Sequence, residues 1–525
     1  MITLIAGGQI VDPIDGQHES DVLIEDERIV AIGPQAGSRP SDKIIDAEGL
    51  LIMPGGIDAH SHADARILDD DVQLALLRSG VTTVITGQDG VSYAPGDGRY
   101  ATDYFGPLLG AHPTYAGGGV GALLETWDGT TRLNVGYLLP AGTIRYEVLG
   151  RESRRPSRDE LKSMITMVET GLTEGAVGLS SGLDYVPGSF TDPAELAALC
   201  APVAAVGGLY VSHIRGYEEN SATAVDELIT ICRAAGVKGH ISHFHARPDL
   251  MAELLERARR ADVDLSWDAY PYFAGFSLLS MALLPRDLVA RGNAEAAQIL
   301  RDHSQWPTLQ AEFEARMGAD TNLRSGWADR LRLAGAGNPA NADLEGLTLA
   351  EAGLRRGLDP LHLAYQVLAE SYLAATTVMI IPKPRTDDDL ARQFSLSGAC
   401  SGSDGIFFGG APHPRAYGCA ARMYSLFGRE RGDFSWPELA GLSAHNAAVR
   451  YGLADHGRVR VGGIADLALV DPSAVRDRAT FEDPKQLSEG IDQVLVRGTV
   501  VLSGGRLTDR LAGRPVRPSQ APGGR

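Results

Sequence analysis

The sequence predicts an α/β fold: a (β/α)8 TIM-like barrel carrying a small β-sandwich built from both chain termini. Three observations predict it. Through the middle of the chain, short apolar segments alternate with helix-like stretches, the rhythm of parallel βα units. Both ends instead alternate apolar runs with turn residues, the rhythm of short antiparallel strands. Finally, the same kinds of polar residue close one middle segment after another, as at the C-terminal rim of a barrel.

Taken in order, residues 1–50 contain "LIAGGQIVD" and "DVLIEDERIVAIG", and residues 450–515 contain "GRVRVGGIADLALVDP" and "IDQVLVRGTVVLSGGRL". These two ends form one sandwich domain. Residues 51–449 form the barrel. Its first strand runs into "PGGIDAHSHAD", and seven more are "GVTTVITG", "NVGYLLP", "GAVGLSSG", "GGLYVSH", "VKGHISH", "DVDLSWD" and "GACSGSD". "ATTVMIIP" near residue 378 is a further strand with no assigned place. Residues 286–346 are charged and helix-prone with no clear strand, too long for an ordinary βα connection, and read as an inserted helical subdomain or lid. The end of "GRPVRPSQAPGGR", residues 516–525, lacks apolar anchors and reads as a disordered tail.

At 525 residues the chain exceeds one ordinary domain but suits a large barrel with accessory pieces. Lys and Arg total 48 against 67 Asp and Glu, a formal net charge of −19. Such an acidic surface argues against nucleic acid or an anionic membrane as partner. The N-terminus "MITLIAGGQIVD" lacks a basic start and a long apolar core, and no run of about 18 apolar residues occurs. The expectation is a cytoplasmic protein acting on a small molecule, with a homo-oligomer left open. Cys200, Cys232, Cys400 and Cys419 are too scattered for a disulfide framework or a CxxC metal site and read as buried thiols.

In a strand, residues i and i+2 project from one face, so His60 and His62 at the first strand end point at one spot. Asp89 of "TGQDG" closes the second strand, His213 of "LYVSHIRG" the fifth, His243 of "HISHFH" the sixth and Asp404 of "SGSDG" the eighth. Imidazoles and carboxylates converging on one rim are the ligand set that suits zinc. A metal so held lowers the pKa of bound water and polarises a carbonyl. Asp404 is placed to take the proton from that water and pass it to a leaving amine. His240 is out of phase with His243 and is assigned to the helix layer. His445, in "LSAHNAAVRYGL", follows Ser443, which reads as a helix cap; both histidines read as structural.

"MPGGIDAHSHAD", "GLSSGLDYVPGSF", "SHIRGYEEN", "ISHFH", "WDAYPYFAG", "SGSDG", "PHPRAYG" and "GRVRVGGIADLALVDP" together resemble the amidohydrolase superfamily, in its D-aminoacylase (N-acyl-D-amino-acid deacylase) branch. The resemblance covers nearly the whole chain with the motifs in order. It implies a metal-dependent barrel with one or two divalent ions, zinc foremost, that hydrolyses a non-peptide-type amide bond. It gives Asp404 the catalytic role and makes Tyr185, Tyr270 and Arg415 substrate contacts.

Several positions depart from that branch. Asp89 stands where a cysteine is usual, and a carboxylate, harder than a thiolate, can bridge two ions. Ala141 stands where the third strand commonly ends in His. Phe244-His245 replaces His-Lys, and Phe276 replaces a Ser. The missing Lys and Ser belong to the pocket for the substrate's α-carboxylate. That leaves Arg415 to pair with it, helped by His245 if protonated, while Phe276 offers an apolar wall. A cyclic amide or imide hydrolase, or an unusual dipeptidase, remains an alternative on the same scaffold, although no lysine closes a barrel strand. A barrel that has lost catalysis and serves in binding is the alternative outside enzymes, opposed by the complete His and Asp set.

Overall fold

The computed structural model describes residues 1–319, 326–380 and 385–519. Eight parallel strands run in consecutive neighbour order: Gly56–Asp58, Val81–Thr86, Asn134–Pro140, Gly178–Gly182, Leu209–His213, Lys238–Ile241, Leu265–Ala269 and Ala399–Ser401. They are the eight segments read from the sequence. Most are buried along their full length, as expected for strands covered by helices on one side and packed against one another on the other. The ring closes just past the first strand. Ala59 N–H donates to Ser401 O at 3.1 Å, Asp404 N–H to His60 O at 2.8 Å, and His62 N–H to Gly405 O at 3.1 Å. Closure therefore sets Asp404 beside the two histidines by backbone bonds alone.

The helices that flank the strands carry their own stop and start signals. Ser157 and Glu160 form a reciprocal capping box at the head of Arg158–Glu174, and Gly175 ends that helix. Gly171 lies on its inner face, where a Cβ would come within 2.4 Å of Leu139 on the third strand. The glycine thus lets helix and strand approach closely.

The termini form two sheets. Ile2–Ala6, Val22–Glu25, Arg28–Ile32 and Lys43–Asp46 make a four-stranded sheet. A seven-stranded sheet joins Gln9–Asp12, Gly16–Glu19 and Leu51–Pro54 to Leu467–Val470 and three later strands. Ile5, Ile10, Val22, Ile24, Ile52, Leu467 and Leu495 interlock as the apolar filling of this sandwich. Leu51–Pro54, paired antiparallel with Leu467–Val470, leads directly into the first barrel strand.

Two sequence expectations change here. The segment 286–346 does contain a strand, Leu331–Gly335, whose alternation of buried Leu331 and Leu333 with half-buried Arg332 is too short to stand out among helices. It joins Ala274–Leu278 and Thr376–Ile380 in a three-stranded antiparallel sheet with Thr376–Ile380 in the centre, which gives "ATTVMIIP" its place. The insert thus occupies the long connection between the seventh and eighth barrel strands. The expected disorder from residue 516 does not hold for 516–519. Val516 N–H donates to Val135 O at 2.9 Å and is 3% exposed, and Ser519 N–H donates to Gly452 O at 2.9 Å. Backbone pairing and one buried valine supply the anchor that composition hid; residues 520–525 lie outside the described residues. The four cysteines are free and buried. Among the described residues no helix is long and apolar enough to cross a membrane.

Candidate metal and active site

Asp89 is the hub of the barrel rim. Its Oδ1 lies 3.6 Å from His60 Nε2 and 3.7 Å from His243 Nε2, and its Oδ2 lies 3.6 Å from both His62 Nε2 and His213 Nδ1. Asp404 Oδ1 is 3.3 Å from His62 Nε2 and 3.8 Å from His60 Nε2. His213 Nδ1 and His243 Nε2 are 3.0 Å apart. The structure therefore brings His60, His62, Asp89, His213, His243 and Asp404 into one cluster. Tetrahedral ligands at about 2.0–2.1 Å from an ion stand about 3.3–3.4 Å from one another, close to these separations. His60 Nε2 and Asp89 Oδ1 are buried without a hydrogen-bond partner, a costly arrangement that a cation relieves.

The electrostatics point the same way. Burial opposes charge on His62, yet hydrogen bonds to Asp404 and Asp89 outweigh it and raise its pKa to about 10. Burial likewise opposes charge on His213, and Asp89 and Asp184 raise it to about 10, while burial keeps its neighbour His243 low. Burial would lift Asp404, but the Arg415 charge prevails and holds its carboxyl well below the usual range. The carboxylates draw positive charge into a largely buried site, the demand that a divalent cation meets.

Local backbone makes this convergence possible. Asp89, His243 and Asp404 have φ of 55°, 35° and 48°, in the left-handed region that non-glycine residues seldom occupy. Each turn is pinned from behind. His243 N–H donates to Asp268 Oδ1 at 2.8 Å. Asp64 accepts from Gly87 N–H at 3.1 Å and Ser92 Oγ at 2.6 Å under the Asp89 turn. Asp58 accepts from Ser403 N–H at 2.7 Å next to Asp404. A Cβ on Gly182 would fall 2.0 Å from Asp89 O, so only glycine lets the fourth strand accept that turn.

Asp268, at the end of the seventh strand, also lies 2.9 Å from His240 Nε2 and 3.5 Å from His60 Nδ1. This corrects the placement of His240, which faces the barrel interior beneath the cluster and not the helix layer; Ser266 Oγ, 2.7 Å from its Nδ1, completes its partners. Ser443 Oγ donates to Leu439 O within a helix instead of capping one. Asp184 Oδ2, 3.3 Å from His213 Nε2, orients that ring from the other side. The sequence reading missed Asp58, Asp64, Asp184 and Asp268. Asp268 carried a usable signal, since it closes the strand "DLSWDA" as Asp404 closes its own.

A cavity of about 890 Å³ opens between the rim and the insert, with His62, Asp89, His213, His243 and Asp404 at its floor. Tyr185, Tyr270, His245 and Phe276 line it, joined by Met281, Leu284, Leu331 and Met379 of the insert and by Ser277, whose Oγ lies 3.1 Å from Tyr185 Oη. Two expectations change. Arg415 does not line the cavity: it is 1% exposed, its Nη2 lies 2.7 Å from Asp404 Oδ2, and its guanidinium sits over the Tyr270 ring at 4.3 Å. His245 lines the cavity without gaining a carboxylate partner: burial and then the Arg385 charge hold it well below the usual imidazole range, and its Nε2 meets Tyr270 Oη at 2.8 Å.

A family model described as the amidohydrolase family matches residues 43–316. N-acyl-D-glutamate deacylase of Alcaligenes xylosoxydans xylosoxydans is 30% identical over 511 residues, 95% of this chain and 93% of that one. D-aminoacylase of the same organism is 28% identical, covering 97% and 96%. The solved structure of N-acyl-D-glutamate deacylase from Bordetella bronchiseptica, complexed with zinc and a phosphonate mimic of the tetrahedral intermediate, superposes with a TM-score of 0.81 at 27% identity, covering 98% and 99%. A D-aminoacylase structure that addresses a binuclear metal centre gives 0.82 at 26%, with the same coverage.

Proposed function

The chain belongs to the amidohydrolase family, and from that premise we propose that it is a metal-dependent deacylase that hydrolyses an N-acyl-D-amino acid to a carboxylate and a D-amino acid. The observation that carries this reading is the single buried cluster in which Asp89 addresses four histidines while Asp404 stands beside two of them. His60, His62, Asp89, His213 and His243 would hold one or two divalent ions. Nitrogen and carboxylate donors favour zinc, and the two oxygens of Asp89, turned to different histidine pairs, suit a carboxylate shared by two ions. Bound there, the metal supplies Lewis-acid polarisation of the scissile carbonyl and acidification of water.

The chain's own groups do the rest. Asp404 is the catalytic residue: held deprotonated by Arg415, it takes a proton from the attacking water as the C–O bond forms and returns it to the nitrogen as the C–N bond breaks. Arg415 is a positioning residue that fixes the carboxylate by its ion pair. Asp268 and Asp184 face the His60 and His213 rings from behind and hold them toward the cluster, and Asp268 also pins the His243 backbone turn. Tyr185 and Tyr270 offer hydroxyls at the cavity wall, and the insert shields the floor from bulk water.

The test is metal content together with turnover on matched N-acyl-D-amino acids, N-acyl-L-amino acids, dipeptides and hydantoins. Stoichiometric divalent metal and preference for the first class are expected. Hydantoin opening or dipeptide cleavage as the main activity would replace this reading.

A further inference from the structure

Resting on the N-acyl-amino-acid reading, the geometry points to Arg286, on the insert, as the residue that anchors the substrate's carboxylate. Such a substrate carries a charged group into a cavity whose upper walls are largely apolar, and a carboxylate taken from water there needs a cation within hydrogen-bond reach. Among the described residues, most cations near the cavity are already committed. Arg415 is buried on Asp404 and lies outside the cavity lining. His245 is neutral. Arg215 places Nε on Glu227, Nη1 on the carbonyls of Leu183 and Ser189, and Nη2 on that of Thr191. Arg316 donates to the carbonyls of Leu283 and Leu284.

Arg286 differs from all of these. It lines the cavity, its side chain is 48% exposed, and it makes one ion pair, Nη2 to Asp184 Oδ1 at 2.6 Å. That contact is made through Nη2 and leaves Nε–H and the Nη1 hydrogens as donors for a second carboxylate. Asp184 is 23% exposed and also faces His213 Nε2 at 3.3 Å, so its charge is shared between the ring and Arg286, whose guanidinium stays half exposed beside it. Position matters as much as charge. Arg286 follows Pro285 at the start of the short helix Arg286–Ala290, on the insert that faces the rim. A substrate whose amide meets the floor and whose carboxylate meets Arg286 spans barrel and insert. The anchor that the branch's Lys and Ser would have supplied at positions 245 and 276 has thereby moved to another element.

Steady-state kinetics on an N-acyl-D-amino acid and on the N-acyl amine lacking only the carboxylate tests this, using the metal-loaded wild type, Arg286→Gln, Arg286→Lys and Arg330→Gln. Arg286→Gln is expected to raise KM for the acid about 10- to 100-fold with kcat within a few-fold, to leave kcat/KM for the amine unchanged, and to be partly rescued by Lys. Equal losses on both substrates, an unaltered KM, or the carboxylate-selective loss appearing in Arg330→Gln instead would overturn the proposal. Calorimetric binding of the N-acyl-D-amino acid to wild type and Arg286→Gln reads the anchor independently of turnover. A Kd at least tenfold weaker in the variant supports it, and equal Kd values overturn it. A wild type that turns over no N-acyl-D-amino acid refutes the deacylase reading by itself, and the binding comparison still decides on Arg286.

Discussion

The barrel rim and the wall of the insert meet across the same cavity but are built on opposite terms. On the rim, donors sit at strand ends fixed by parallel register, by closing backbone bonds and by buried carboxylates; His60, His62, Asp89, His213, His243 and Asp404 are all at most 7% exposed. On the insert wall, Phe276, Leu331 and Met379 come from an antiparallel sheet whose three strands span about a hundred residues of chain, and one of its charged groups, Arg286, is half exposed. In the proposed reading, reaction chemistry and substrate selection therefore fall to separate pieces of the chain. Changes on the wall can alter preference while the rim keeps its geometry.

The sharpest break between the two is expected at Asp404. Replacing it by Asn keeps the shape but removes the base, so kcat is expected to fall by about 10²–10⁴-fold while metal content and melting temperature stay near wild type. An Asn variant with near-normal kcat would show that another residue moves the proton. One layer down, Asp268→Asn leaves every proposed ligand in place but weakens the group that holds the His243 turn and faces His60 and His240. Loss of about 10- to 100-fold in metal affinity is expected, measured by chelator competition. Unchanged affinity would mean that the strand ends hold the rotamers without help.

The same contrast explains what the sequence disclosed. His60 and His62 can be read because a two-residue spacing fixes their common direction, and Asp89, His213, His243 and Asp404 because each ends an apolar run. The supporting carboxylates were harder. Asp58 acts through a backbone N–H brought to it only by ring closure, Asp64 through Gly87 N–H and Ser92 Oγ of the loop after the second strand, and Asp184 only through a loop folded back on His213. The insert was least legible, since the strand Leu331–Gly335 is recognisable only beside its partner Thr376–Ile380. Arg415 shows the converse. Its motif position suggested a substrate contact, but its proximity to Asp404 decides its role, and that distance is not in the sequence.

On the wall, Phe276 is 5% exposed and lines the cavity together with Tyr185 and Tyr270. Phe276→Ser is expected to lower kcat/KM about tenfold for substrates with a large apolar group and to spare small N-acetyl-D-amino acids. Adding His245→Lys restores a cation and is expected to raise activity on the small acids. If the unmodified enzyme already turns over N-acetyl-D-leucine efficiently and the double variant gains nothing, the apolar wall does not set preference.

The smallest effect on activity is expected far from the cavity, in the sandwich. Asp12 ends the strand Gln9–Asp12 and is 1% exposed. Its carboxylate accepts from Arg458 Nη2 at 2.7 Å and from Val459 N–H at 3.1 Å, so it fastens the N-terminal sheet to the returning C-terminal segment. Burial would raise its pKa, but the Arg458 hydrogen bonds and the backbone N–H groups of Asp15 and Ile14 outweigh it and lower the value. A folded-state pKa below the unfolded one means that the stabilisation is complete above the unfolded value of about 3.9 and is lost as pH falls through the folded value. Asp12→Asn leaves those donors poorly matched and is expected to cost about 1–3 kcal/mol at pH 7, with the gap to wild type closing in acid below about pH 4. Denaturant unfolding across pH reads the gap, and kcat at pH 7 is expected to be unchanged. A parallel fall in kcat or in bound metal would show that the sandwich sets the rim geometry through Leu51–Pro54, and that chemistry and scaffold are less separable than the rim and the wall suggest.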